Sequence, residues 1–227
     1  CTHPLVGFSL LGLRMSDTSS LIESADTVDA EDAPVARKRP KPGERRVQIL
    51  QALAAMLEQP GAERITTAAL AARLSVSEAA LYRHFASKAQ MFEGLIEFIE
   101  QSIFTLVTQI TGRDVPPPDQ AAEVGQRQAG RIIALLLQFG ERNPGMVRVM
   151  VGDALVFEHE RLQQRMNQFF DRIESTLRQC LRTSASGSDT PTVHAQVQAS
   201  VLTSFALGRL QRFARSGFRR NPTEHLD

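Results

Sequence analysis

Residues 65–85 read ITTAALAARLSVSEAALYRHF, and this stretch decides the fold. Thr66 or Thr67 can cap a short helix carrying Leu70 and Leu74, because a hydroxyl oxygen accepts from N–H groups that the first turn leaves unpaired. Ser77 can cap a second helix, from Ser77 to about Phe85. Two short helices separated by a turn of about three or four residues match the helix-turn-helix arrangement. In such a unit the second helix lies in the major groove and the first braces it against the backbone.

Helical geometry then assigns faces. Leu81 and Phe85 are one turn apart and point at a small core with Leu70, Leu74 and Val76; Ala79 and Arg83 lie roughly opposite, with Tyr82 on the flank. Arg83 can contact guanine in bidentate fashion, and the small Ala79 lets the helix approach base edges. Ser77, Thr66 and Thr67, at helix starts, suit phosphates. Tyr82, His84 and Lys88 fit phosphate contacts that fix register. Each has a plainer reading when taken singly: His84 as a solvent-facing or core-edge side chain, Tyr82 as a shield over the core. The combination points to double-stranded DNA.

Charge distribution supports this. The 227 residues carry 26 Lys+Arg against 25 Asp+Glu, a formal net charge of +1 that conceals a strong segregation. From Asp17 to Asp32 the charges are all acidic. From Arg37 to Arg46 they are basic except Glu44, which makes an arm suited to phosphates directly before the first amphipathic helix. Residues 1–43 read as a disordered extension, with Met15 as the expected start of the natural chain. Residues 44–90 form the DNA-binding domain and 91–227 a helical body.

Helices account for the rest. Val47, Leu50, Ala54 and Leu57 share a face that Pro60-Gly61 ends; Phe92, Leu95, Ile99, Ile103 and Leu106 line a helix from Lys88 to about Thr111. Further helices run from about Gln120 to Arg142, stopped by Asn143-Pro144-Gly145, through Met146–Met150, from about Asp153 to Thr183, and from about Thr192 to Phe218. No stretch shows bounded period-two alternation, so the fold reads as all-α. The longest apolar run, Ile132 to Leu137, is far too short to span a bilayer. Cys1 and Cys180 give neither a disulfide framework nor metal-ligand spacing, which fits a reducing cytoplasm; Cys180 reads as a small core residue. Gly-rich phosphate loops, H-E-x-x-H and plausible triads are missing, and Glu158, His159 and Glu160, being consecutive on a helix, cannot converge on one substrate. Catalysis is therefore not expected.

A short recognition helix covers few base pairs, so useful affinity needs two half-sites and a homodimer. Phe169, Phe170, Ile173 and Leu177, facing Leu202, Phe205 and Phe213, are the expected four-helix interface with a second copy.

The run SVSEAALYRHFASKAQMFEGLIEF resembles the TetR family of regulators. RITTAALAA, the stretch Gln138–Gly145, ALVFEHERLQQRMNQFFDRIE and RFARSGFRRNPTEHLD resemble in particular the nucleoid occlusion branch of that family, over about Glu44 to Asp227. The resemblance implies a three-helix DNA-binding domain, a helical dimerisation body, palindromic chromosomal sites, and antagonism of the tubulin-like division protein FtsZ over the nucleoid. It implies no cofactor and no obligate small-molecule ligand. Thr66, Ser77, Tyr82, His84 and Lys88 are then the expected DNA contacts, and Phe98, Leu135, Arg142 and Asn143 the expected partner contacts, although Phe98 and Leu135 equally suit a core. Two departures stand out. Ser75 occupies a turn position where the family has glycine; at positive φ, serine there costs about 1 kcal/mol. The family pattern would also continue past Asp227 into a short apolar segment. An alternative reading is a ligand-responsive repressor, with Phe104, Phe139, Phe157 and Phe205 lining an apolar pocket; aromatic residues at helical spacing more often fill a core.

Overall fold

A computed structural model describes residues 43–59, 64–112, 117, 120–182 and 191–226. Among them lie eight helices: α1 (Glu44–Leu57), α2 (Thr67–Arg73), α3 (Glu78–Tyr82), α4 (Lys88–Gly112), α5 (Ala121–Arg142), α6 (Pro144–Met150), α7 (Glu160–Arg182) and α8 (Pro191–Arg215), with a 3-10 turn at Asp153–Leu155. The acidic segment and the arm from Arg37 to Lys41 lie outside the described residues.

The first three helices close a small core with the start of α4. Ile49, Leu50, Leu53, Ala54 and Leu57 of α1, Leu70 and Ala71 of α2, Leu81, Phe85 and Phe92 are all buried. Val47, expected on the inner face of α1, is exposed instead. The caps are as the hydroxyls suggest: Thr66 accepts from the Ala69 N–H at 3.1 Å, and Ser77 from that of Ala80 at 3.3 Å. Between α2 and α3 the chain closes a Schellman turn, with the Val76 N–H donating to Ala71 O at 3.0 Å and the Ser75 N–H to Ala72 O at 3.1 Å. That turn puts Ser75 at φ 53, the left-handed region that favours glycine.

α4 runs from this head into the body, where it packs on α5 and α7, while α8 packs on α5, α6 and α7. Where the sequence suggests one helix from Asp153 to Thr183, Gly152 turns left-handed at φ 85, a 3-10 turn follows, and α7 starts only at Glu160. The reason is local: Glu158 N–H bonds back to Leu155 O at 3.0 Å, and the His159 ring accepts the Arg161 N–H at 3.2 Å. α8 likewise ends early, at Arg215. Gly217 takes φ 63 and the Phe218 N–H returns to Phe213 O at 3.0 Å, so that the two rings meet edge-on at 5.2 Å.

The head is held to the body at a very close approach. A Cβ on Gly145 of α6 would lie inside contact distance of the Ala54 carbonyl oxygen of α1, and 3.3 Å from Glu58 Cγ. Gly94 of α4 brings a second backbone close to α1: its Cβ would stand 3.0 Å from Leu50. No described helix is long and apolar enough to cross a membrane.

Candidate nucleic-acid interface

α3 is only five residues long, shorter than the sequence suggests, and Arg83 is its C-cap. Thr66, Ser77, Ala79, Tyr82, Arg83 and His84 are exposed, while Thr67 and Lys88 are half-buried. Leu81 and Phe85, by contrast, are inside. The short helix thus turns its apolar residues inward and leaves a continuous polar rim outward.

Three groups of contacts hold this rim in place. Thr67 Oγ1 donates to Glu78 Oε2 at 2.5 Å, which ties the start of α2 to the first turn of α3. This hydroxyl is therefore engaged within the protein. The Arg46 guanidinium donates to the His84 carbonyl oxygen at 2.9 Å and lies over the Phe85 ring at 4.1 Å. It satisfies an orphan carbonyl at the end of α3 and stacks on the aromatic that anchors it. Arg45 and Arg46, expected in a phosphate-binding arm, belong instead to α1, with Arg45 bonding Gln48 at 2.9 Å. At the head of α4, Ser87 accepts the Gln90 N–H at 3.2 Å, and Gln90 returns to the Ala86 N–H at 2.8 Å. The reciprocal cap fixes the position of Lys88.

The expected partner residues separate in space. Arg142 is half-buried and lines a cleft of about 570 Å³ with Gln138, Glu141, Pro144, Phe213 and Phe218. Phe98 is half-buried against Phe139. Leu135 and Asn143 are buried, so neither side chain offers a surface as expected; Asn143 Nδ2 instead donates to Phe139 O at 3.0 Å and closes the end of α5.

The expected dimer face also needs correcting. Phe169, Ile173, Leu177 and Phe213 are buried within this one chain, with Phe169 edge-on to Phe104 at 5.4 Å. Phe170 and Leu202 are half-buried; Phe205 alone of the set is exposed. α8 presents small residues to the interior, Ala195, Ala199 and Ala206 among them, and larger ones outward: Val193 (60 % exposed), Val197 (57 %), Val201 (61 %) and Phe205 (44 %). Their i, i+4 spacing makes one apolar stripe along the helix. The four rings suggested for a ligand pocket do not converge either, since Phe139 is buried while Phe157 and Phe205 face outward.

Comparison with known proteins agrees with this geometry. Residues 49–95 match the model of the tetR family of bacterial regulatory proteins, and residues 127–227 that of the SlmA-like, tetracyclin repressor-like C-terminal domain. The chain is 52% identical over 183 residues to the nucleoid occlusion factor SlmA of Idiomarina loihiensis, covering 80% of this chain and 89% of that protein. It is 51% identical over 186 residues to the protein of the same name from Photobacterium profundum, covering 81% and 90%. Among solved structures, NalD, the secondary repressor of the MexAB-OprM multidrug efflux pump in Pseudomonas aeruginosa, shares the fold at 18% identity, with a TM-score of 0.54 over 81% of this chain and 90% of that one.

Proposed function

The chain belongs to the SlmA branch of the TetR family, and on that premise we propose that it is a nucleoid occlusion factor, a dimer that binds palindromic chromosomal sites and there antagonises FtsZ assembly. DNA binding, rather than catalysis, is the activity of this family. The observation that carries the fuller reading is that the likeness extends through residues 127–227, the body, and does not stop at the DNA-reading head.

On this reading Arg83 and Ala79 face base edges, while Thr66, Ser77, Tyr82, His84 and Lys88 meet phosphates. Thr66 and Ser77 use their oxygens as acceptors for caps and keep their O–H groups as donors. The α8 stripe is the core of the dimer interface: it holds no acid, and from Val193 to Ala206 its outward valines and Phe205 are larger than the inward Ala195, Ala199 and Ala206. Arg142 and its cleft are the FtsZ-facing surface. The test measures FtsZ assembly by light scattering, with and without a palindromic duplex. Wild type with DNA should suppress assembly; Arg142→Asp should relieve suppression while binding the duplex normally. Suppression undiminished by Arg142→Asp removes this cleft from the partner surface, and no suppression by the wild type removes the division role.

A further inference from the structure

α4 is fastened to the segment around α7 by a series of charged contacts. Lys88 Nζ meets Glu158 Oε1 at 2.5 Å, Glu93 meets Arg161 at 2.7 Å, and Glu100 receives Arg165 through two nitrogens, Nε at 3.0 Å and Nη2 at 2.5 Å. Arg172 then lies over the Phe104 ring at 3.7 Å. In the second and third pairs the acid sits on α4 and the arginine on α7. The first reverses this order: the cation is on α4, at the DNA-facing head, and the acid belongs to the body.

The reversed pair is built in. Glu158 is held by its own N–H to Leu155 O, and its side chain is only 10 % exposed against 29 % for Lys88. The preceding residue, Phe157, packs under the Arg64 guanidinium at 4.7 Å, two residues before the cap of α2. The body thus touches the head on both sides of the reading face, in the segment leading into α2 and at the first residue of α4.

We propose that Glu158 is an internal competitor for the phosphate at Lys88, a residue that weakens DNA binding without lying on the DNA surface. The inference rests on the reading of Lys88 as a phosphate contact. An ammonium has three donors and could bridge both anions, but that would hold a carboxylate and a phosphate within a few ångströms of each other at a site partly withdrawn from water. Either the bridge carries this repulsion or Lys88 leaves Glu158, stranding a mostly buried carboxylate. Both outcomes subtract from affinity.

The experiment is fluorescence anisotropy with a palindromic duplex selected from a random pool by the wild-type chain. Glu158→Gln keeps shape and loses charge. It should tighten binding about threefold per half-site, and steepen the fall of affinity with salt as Lys88 releases its counterion in full. Glu158→Asp, drawn back by one methylene, should fall between the two. Glu100→Gln, which loosens the same helix pair away from Lys88, should bind like wild type. Lys88→Ala should weaken binding, and in that background Glu158→Gln should gain clearly less than it does with Lys88 present. If Lys88→Ala weakens binding but Glu158→Gln is neutral or weakening, or tightens by the same factor with and without Lys88, the competition is refuted and the phosphate reading stands. If Lys88→Ala is without effect, both fall together.

Discussion

Gly145→Ala offers a direct test of how the head is mounted. The added methyl would overlap the Ala54 carbonyl oxygen and stand 3.1 Å from its carbon. A backbone carbonyl cannot turn aside as a long side chain can, so α6 must retreat from α1 along their shared contact. Overpacking of this kind costs about 1–3 kcal/mol, offset in part by the helix preference for alanine, at most about 1 kcal/mol. The net loss of about 1–2 kcal/mol corresponds to a Tm lower by about 2–8 °C in a chain of this size. Gly130→Ala is the matched control: it lies on α5 with nothing within 4 Å of its Cβ. There the preference for alanine acts alone and should raise Tm by about 1–4 °C. Thermal melts followed by circular dichroism read both. If Gly145→Ala melts at or above wild type, α6 and α1 do not meet as described.

Other outcomes follow from single observations. Ser75→Gly relieves a left-handed serine and should add about 1 kcal/mol of stability in urea titration, while Ser75→Val should subtract at least as much; equal stabilities would contradict the turn geometry. Val201→Glu with Phe205→Glu should halve the mass seen by light scattering and leave helix content intact, whereas Ile173→Ala, inside the chain, should cost about 2–5 kcal/mol of stability. An unchanged mass for the double variant would remove the α8 stripe from the dimer interface. Burial pushes the Cys180 thiol above its ordinary pKa. Its thiolate fraction at pH 8 is then below that of a free cysteine, and peptide mapping after maleimide labelling should find Cys180 unmodified until denaturant is added; rapid native labelling would contradict its burial.

Most of the helical framework was legible because its signals are local. Thr66, Ser77 and Ser87 stand where helices begin, Asn143-Pro144-Gly145 stands where one stops, and α4 and α5 repeat apolar residues at helical spacing. Less legible was which covered face meets what. The stripe Phe169–Ile173–Leu177 is strongly periodic, but periodicity records burial and cannot distinguish the chain's own α4 and α8 from a second copy. On α8 as far as Ala206 the interior side is marked by alanines and the outer side by valines, an inversion that ranking residues by hydrophobicity conceals. Long-range pairs left no local trace at all: Arg46 reads as one more basic residue of an arm, and Glu100 meets Arg165 65 residues away. The DNA rim was accessible to reasoning because one short helix with two inward anchors dictates what its remaining positions face.

The bare backbone at Gly145 has a consequence for the spacing of DNA sites. With α6 pressed on α1 at Gly145 and Gly94 of α4 admitting Leu50, the reading head is packed on the body rather than hung from it by a tether. If α8 joins two chains as proposed, their heads would behave like the points of locked callipers, their opening fixed by the bodies behind them. Adding or removing one base pair between half-sites would then cost far more affinity than changing a base inside either half.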